Sequence, residues 1–204
     1  MSLRRHLPNV LELTLALVLA FLLGRLSVDT SSPPQPGTVD VGFSQDMAVH
    51  HEQAVLMATL AQTHGGPAVA AIGASIVSGQ SQEIGLTRGW LRLWGRPAVD
   101  PHPMAWLAAA SMPGMTMTTM PGMATSAQLT RLASLDGRRF DVLFLQLMIR
   151  HHLGGLQMCQ YARAHAKLAV VRDAAASMAV EQIEDLGQMR GLLKADGGTE
   201  LPPP

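Results

Sequence analysis

The chain has 204 residues, enough for one domain with a hydrophobic core and additional segments. Its 15 basic and 15 acidic residues balance, which argues against a bulk attraction to nucleic acid, and no nucleic-acid partner is expected. Aromatic residues make up only 4% of the chain, a composition more typical of closely packed helices than of a β-sandwich or barrel. The single cysteine, Cys159, excludes an internal disulfide framework.

The N-terminal segment, residues 1–28, has the pattern of an export signal. Arg4 and Arg5 precede an apolar run over residues 10–24, and such arginines favour a cytoplasmic location for that end. The run spans roughly 22 Å, less than the about 30 Å core of a bilayer, so both a cleavable signal and a short anchor are possible. Because the bulky Arg25 follows the run, where cleavage requires small residues, an anchor in the cytoplasmic membrane is favoured. Cleavage would instead release a secreted or periplasmic protein.

Residues 29–38 are rich in Ser and Pro and predict an extended linker. The following domain, residues 39–197, contains a duplicated unit. A shift of 101 residues aligns residues 40–64 with residues 141–165, and a shift of 102 aligns the segments that follow. The matched pairs include Asp40/Asp141, Phe43/Phe144, Met47/Met148, His50/His151, His51/His152, Met57/Met158, His64/His165 and Gln80/Gln182. Retained order and spacing across two segments indicate an internal repeat.

Each unit predicts a helix, a turn and a second helix. In the first hairpin, residues 40–95, the His and Met positions recur at three- and four-residue steps on one helical face. Ser44 is the expected N-cap of its first helix, and Gly65-Gly66-Pro67 predicts the turn. The second hairpin covers residues 138–194. We therefore expect an all-α fold, a four-helix bundle with a crossover over residues 97–125. A short helix is expected over 126–135, because Thr125-x-x-Gln128 resembles a capping box.

Two His-His pairs, His50-His51 and His151-His152, are the main candidates for chemistry. Neighbouring positions on a helix point about 100° apart, so one imidazole of each pair can enter the bundle while the other faces the next helix. Four methionines lie at matched spacing around the pairs: Met47, Met57, Met148 and Met158. Imidazole and thioether groups together favour copper, although buried methionines also serve as packing residues and histidines also form internal hydrogen bonds.

Further candidates surround this motif. The crossover has a methionine-rich segment in which the sequence MPGM occurs twice, at residues 112–115 and 120–123. This segment either wraps Cu(I) or seals the end of the bundle, with Met112, Met115, Met117, Met120 and Met123. His64 and His165 close their helices, where helix capping explains them as well as ligation does. Glu83 and Asp185 are candidates to orient the imidazoles as hydrogen-bond acceptors. Cys159 lies outside the shared pattern and is expected to be a small buried residue, with a place in a soft-metal site as the alternative.

The doubled pattern D-x-x-F-x3-M-x2-HH-x5-M, with an MPGM segment between its copies, resembles the bacterial family known as domain of unknown function 305. The resemblance covers residues 39–194. Members look like exported, ferritin-like helical bundles, and some are associated with copper binding and copper tolerance. The resemblance implies motif positions at Asp40, Phe43, Met47, His50, His51 and Met57 and at their counterparts Asp141, Phe144, Met148, His151, His152 and Met158.

The leading hypothesis is an exported, membrane-tethered protein that binds copper, with Cu(I) as the favoured form and another transition metal as the alternative, for buffering, tolerance or transfer. The alternatives are a ferritin-like metal oxidoreductase and a structural bundle without metal. No catalytic residue is indicated, and neither copy has the Glu-x-x-His pattern of di-iron carboxylate proteins. Donors from both hairpins that meet inside the bundle would favour metal binding, whereas imidazoles that face solvent or are saturated by backbone would favour a scaffold.

Overall fold

The computed structural model describes residues 9–27, 34–107 and 120–204, and all regular structure in these ranges is helical. The helices are α1 (Val10–Ser27), α2 (Thr38–His64), α3 (Pro67–Leu93), α4 (Ser126–Ala133), α5 (Gly137–His165) and α6 (Ala169–Ala195). The chain divides into two compact units, Met1–Pro33 and Pro34–Pro204. The all-α prediction is confirmed for these parts of the chain.

The first unit contains α1, whose large apolar side chains from Val10 to Leu23 are exposed. Within the described ranges, no helix combines the length and the apolarity needed to cross a bilayer. The anchor predicted for residues 1–28 is not confirmed by this part of the chain.

In the second unit, α2 and α3 form one hairpin, and α5 and α6 form the other. Gly65 and Gly66 separate α2 from α3, and Pro67 occupies the first turn of α3, where its missing N–H loses no helical hydrogen bond. The short helix α4 begins with a capping box, in which Thr125 Oγ1 accepts from the Gln128 backbone N–H and Gln128 Oε1 accepts from the Thr125 N–H. The turn and the short helix agree with the sequence-based expectations.

The start of α2 differs from the expectation. Ser44 is not the N-cap: it lies inside the helix, where its buried hydroxyl donates to the Asp40 carbonyl oxygen at 2.7 Å. The helix begins at Thr38 because the Asp40 carboxylate accepts the Gly37 backbone N–H at 2.6 Å and so satisfies one of the free donors of the first turn.

Asp40 and Asp141 also join the two hairpins. Asp40 accepts the backbone N–H groups of Lys167 and Leu168, at the start of α6, at 3.2 and 2.9 Å. In the same way, Asp141 accepts the N–H of Gly66, at the start of α3, at 3.0 Å. Each aspartate therefore caps the second helix of the opposite hairpin, which explains why the repeat keeps an aspartate at this position.

Helices α2 and α5 pack against each other in opposite directions. Met47 of α2 shares a buried cluster with Met158 of α5, and Met57 shares another with Met148. The first half of each helix thus lies beside the second half of the other, as two copies of one unit would around a two-fold axis. The residues nearest the middle of this arrangement are the two His-His pairs.

Candidate metal centre

The centre of the α2–α5 interface holds a stack of His50 and His151, one from each hairpin. The ring centroids lie 3.7 Å apart at an interplanar angle of 32°, and each residue is 1% exposed. Nε2 of His50 lies 3.1 Å from the Pro121 carbonyl oxygen. By hydrogen-bond geometry, Nδ1 of His50 and both ring nitrogens of His151 have no partner among the described residues, although the backbone of His50 makes a weaker polar contact with the His151 ring. Each unsatisfied buried polar group lowers the free energy of unfolding by about 1–3 kcal/mol. These three nitrogens therefore do not stabilise the fold, and they are available to bind a ligand.

Burial determines the protonation of the stack. Desolvation, followed by repulsion from His51, lowers the pKa of His50 from 6.5 to about 3. Desolvation, followed by repulsion from His50, also lowers the pKa of His151 well below 6.5. Both rings are therefore neutral at physiological pH, which is the form of imidazole that binds metal ions.

Acid is expected to destabilise the metal-free protein through this stack. Below pH 6.5 the unfolded chain protonates His50 and His151 while the folded protein does not, so stability is full above pH 6.5 and falls as the pH is lowered toward 3. Each imidazole contributes a loss of about 1.4 kcal/mol per pH unit well below pH 6.5. Urea denaturation between pH 7 and pH 4 should show a shallower pH dependence for His50→Leu than for the wild type. Identical slopes would contradict the assignment.

The outer histidines face the second helix of their own hairpin. Nε2 of His51 lies 2.8 Å from Glu83 Oε2, and Nε2 of His152 lies 3.1 Å from Asp185 Oδ2. The two acids expected beside the imidazoles therefore do lie there. The copies differ in one respect: Nδ1 of His152 is 3.1 Å from the Met148 carbonyl oxygen, whereas Nδ1 of His51 has no hydrogen-bond partner in the described part of the chain. The contact of His51 Nε2 with Glu83 is close enough for an ion pair but does not have the geometry of a hydrogen bond.

The four motif methionines are fully buried in two groups. Met47 and Met158 belong to one buried cluster, and Met57 and Met148 belong to the other. Met47 precedes His50 by three residues, which is about one helical turn. Each group thus contains one methionine from each hairpin, as the two-fold relation of α2 and α5 requires.

Cys159 lies in the same cluster as Met47 and Met158 and is completely buried. Burial raises the pKa of its thiol, and its sulfur receives a long contact of 3.9 Å from Gln182 Nε2. Metals bind the thiolate, a form that burial disfavours in the metal-free protein. It is the small buried residue that the sequence analysis favoured.

The two terminal histidines of the motif helices lie away from the stack. His64 and His165 are each fourteen positions beyond the inner histidine of their helix, which corresponds to about 21 Å along the axis. Nδ1 of His64 contacts Asp136 Oδ1 at 2.8 Å, and the exposed His165 packs on Tyr161 with ring centroids 4.3 Å apart. Neither His64 nor His165 therefore lies near the stack of His50 and His151.

The last part of the crossover, residues 120–125, covers the stack. Beyond the contact of Pro121 with His50, the side-chain amide of Gln53 holds Ala124: Oε1 accepts the Ala124 N–H at 2.7 Å, and Nε2 donates to its carbonyl oxygen at 3.0 Å. Met120 and Met123 are half-buried within this segment. The candidate ligands Met112, Met115 and Met117 lie outside the described residues.

Two glycines permit this close approach. Gly122 has φ +80°, a conformation that favours glycine, and lies against the backbone of Arg150 and His151. Gly154 of α5 lies under Pro121, and a Cβ atom built there would collide with the Pro121 carbonyl group. Sequence reasoning missed the roles of Pro121, Gln53 and Gly154, although the second MPGM segment marked the place.

The predicted site residues are therefore only partly brought together. The inner histidines of both hairpins meet, whereas the outer ones turn toward Glu83 and Asp185, with ring centroids 6.2 Å from their inner neighbours. In the described ranges, no three side chains of His, Cys, Asp and Glu already surround a common point. The stack and its flanking methionines form a set of buried neutral donors.

Solved structures with a similar fold include two members of one family. A DUF305 protein from Streptomyces coelicolor, described as secreted, is 34% identical, with 80% of this chain and 95% of that chain covered and a TM-score of 0.73. A DUF305 fragment from Deinococcus radiodurans is 26% identical, with 79% and 99% covered and a TM-score of 0.67. The Cu(II)-bound form of CopM, at 22% identity, 76% and 96% coverage and a TM-score of 0.61, shows a likeness of fold alone.

A comparison with curated proteins finds no match. The family model described as Domain of unknown function (DUF305) matches residues 40–193. This match begins at the first aspartate of the doubled motif and extends almost to the end of α6, so it includes both hairpins and the crossover. The resemblance inferred from the motif is confirmed, and the chain belongs to the DUF305 family.

Proposed function

We propose that the protein binds copper as Cu(I) at the stack of His50 and His151 and holds it for buffering, tolerance or transfer. The observation that carries the proposal is the set of three buried imidazole nitrogens without hydrogen-bond partners in the described structure. A scaffold protein would gain stability by satisfying or replacing such groups. Their presence at the meeting point of both hairpins supports a binding role.

The chemistry of the surroundings favours a soft, singly charged ion. The donors are neutral imidazoles and, in the same interface, the thioethers of Met47, Met57, Met148 and Met158, which soft metal ions prefer. Calcium and magnesium prefer several oxygen ligands, whereas the side-chain donors of this proposal are nitrogen and sulfur atoms. A buried monovalent cation also loses less hydration energy than a divalent one, which favours Cu(I) over Cu(II) at this position.

The structural neighbours are consistent with this proposal. CopM has been solved in Cu(II)-bound, Cu(I)-bound and Ag-bound forms, which share the fold of this chain at 21–22% identity. We take the two hairpins as a ferritin-like four-helix bundle, a fold that places metal sites between facing helices. The outer pairs of His51 with Glu83 and His152 with Asp185 would then orient the motif helices around the site.

We further propose that the protein works outside the cytoplasm. Arg4, Arg5 and the apolar residues 10–24 form an export pattern, and the Streptomyces relative at 34% identity is described as secreted. In this proposal residues 1–28 direct export, residues 29–38 act as a linker and residues 39–197 bind the metal.

The test is copper X-ray absorption on the full chain loaded with Cu(I) under reducing conditions. Nitrogen and sulfur neighbours are expected in the wild type. Replacement of the four motif methionines by leucine, which has a similar volume, should remove the sulfur signal and weaken Cu(I) binding at least about tenfold. Met189→Leu is the control, because Met189 is a buried methionine with no motif histidine beside it. This variant should leave the sulfur signal and the Cu(I) affinity unchanged. A sulfur-free wild-type spectrum, or full binding by the fourfold variant, would refute methionine ligation.

Turnover separates the proposed binding protein from an oxidoreductase. The copper-loaded chain should bind a fixed number of Cu(I) ions without catalysing their oxidation by dioxygen. Sustained oxygen consumption with excess Cu(I) would instead favour the enzyme.

A further inference from the structure

A cavity of about 600 Å³ lies where α4, the first turns of α5 and the segment after α6 meet. Small-molecule sites in proteins have volumes of about 300–1,000 Å³, so the cavity is large enough for a ligand. No histidine or methionine of the repeated motif is among the described residues that line it. The cavity is therefore separate from the candidate metal centre.

The wall that the C-terminal segment gives to this cavity is held in place by both helices of the second hairpin. Gln146 Nε2 of α5 donates to the Thr199 carbonyl oxygen at 2.7 Å. The guanidinium group of Arg190, on α6, donates to both carboxylate oxygens of Glu200, at 2.8 and 3.2 Å. Leu201 then packs against the buried core. Because three successive residues after α6 are fixed to the helices, the cavity is a built feature of the fold.

The guanidinium groups at this cavity lack carboxylate partners. Arg131, Arg138 and Arg139 line it, and none of the three forms an ion pair within the described ranges. Asp196 is the one acid among the described lining residues, and Arg138 donates to its backbone carbonyl oxygen at 2.6 Å rather than to its carboxylate. The whole chain has a formal net charge of zero, so the excess of positive charge is a local property of this cavity.

Apolar side chains line the cavity beside the arginines. Four of them are partly buried and pack against the core: Leu135, Val142, Leu143 and Leu201. A small hydrophilic anion gains nothing from such a surface, and a neutral hydrocarbon leaves the guanidinium groups without partners. The lining as a whole therefore fits a molecule that is both anionic and apolar.

We propose that the cavity binds a small amphipathic anion, which is a molecule with one carboxylate or phosphate group and a hydrocarbon part. The arginines hold the anionic group, because a guanidinium group donates paired N–H bonds to carboxylate and phosphate oxygens alike. The hydrocarbon part lies against the leucines and Val142. Arg139 is twelve positions before His151 on α5, about 18 Å along the helix axis, so this site goes beyond the proposed function and does not depend on it.

The test is calorimetric titration of the full chain with octanoate, which carries both properties. Octanoate should bind with a Kd below about 1 mM. Octanol lacks the charge and acetate lacks the hydrocarbon chain, so each should bind at least about tenfold more weakly. Octyl phosphate identifies the source of the anionic group: tighter binding than octanoate would assign the site to phosphate ligands, and weaker binding to carboxylates.

Variants locate the binding in the cavity. Arg131→Gln and Arg139→Gln each remove one charge from an exposed side chain and should weaken octanoate binding at least about fivefold. Arg163→Gln removes the same charge near the other end of α5 and should change the affinity by less than about twofold. Urea denaturation should give all three variants the stability of the wild type, because the three side chains are exposed.

Four results would overturn the proposal. They are a wild type that binds neither octanoate nor octyl phosphate, octanol binding as tight as octanoate binding, unchanged affinity in both cavity variants, and an equal loss of affinity in Arg163→Gln. None of these results bears on the histidine stack, whose Cu(I) affinity should be the same in all three arginine variants.

Discussion

Replacing both stacked histidines by leucine, in the double variant His50→Leu/His151→Leu, is expected to stabilise the metal-free protein and to weaken Cu(I) binding strongly. Leucine is close to histidine in volume and has no polar atoms, so the variant removes three buried nitrogens that have no described partner. It also leaves the Pro121 carbonyl oxygen without its contact to His50. The net gain should be about 2 kcal/mol at neutral pH.

The measurements are urea denaturation of the metal-free chain and competition for Cu(I) with a chelator of known affinity. Cu(I) affinity should fall at least about a hundredfold, because both imidazole ligands are lost. His165→Leu changes an exposed histidine at the end of α5 and should affect neither property. A double variant that is less stable than the wild type and still binds Cu(I) would identify the stack as a packing element.

Gly154→Ala is expected to destabilise the protein by about 3 kcal/mol, an effect as large as that of overfilling a well-packed core. The new methyl group would collide with the Pro121 carbonyl group and lie 2.9 Å from the Gly122 nitrogen, and both are backbone atoms that cannot rotate away. The crossover must therefore lift from α5. This movement would also break the contacts of Gln53 with Ala124 and expose the histidine stack to water.

Gly187→Ala is the matched control, since a Cβ atom at this position of α6 would meet nothing within 4 Å. Alanine has the higher helix propensity, so this variant should be more stable than the wild type by up to about 1 kcal/mol. Urea denaturation of the two variants measures the difference in the free energy of unfolding. Equal effects of the two substitutions would show that residues 120–125 do not rest on α5 as described.

The features that sequence predicted well are those that depend on neighbouring residues. Gly65-Gly66-Pro67 interrupts a helix through its own backbone preferences. The capping box joins Thr125 to Gln128, which lies only three positions further along the chain. The internal repeat then assigned the same hairpin to both halves. Local chemistry and duplication together were enough for the helices and their pairing.

The features that sequence did not predict depend on the register between distant helices. Ser44 looked like an N-cap, but Asp40 closes the first turn of α2 because it also reaches the start of α6. The sequence predicted that one imidazole of each pair enters the bundle and the other faces the next helix, but it did not reveal which one. The register of α2 against α5 places His50 on His151. The position of the second MPGM segment over the stack likewise follows from tertiary contacts.

The antiparallel packing of α2 and α5 means that an isolated hairpin carries only half of the stack. A free hairpin would have to dimerise to build it, and its affinity for metal would depend on protein concentration. Fusion of two hairpins in one chain removes that dependence. It also lets the halves diverge: Nδ1 of His152 contacts the Met148 carbonyl oxygen, whereas Nδ1 of His51 has no hydrogen-bond partner among the described residues. A symmetric homodimer cannot specialise its two faces in this way, whereas a fused protein can evolve one face for capture and the other for rigidity.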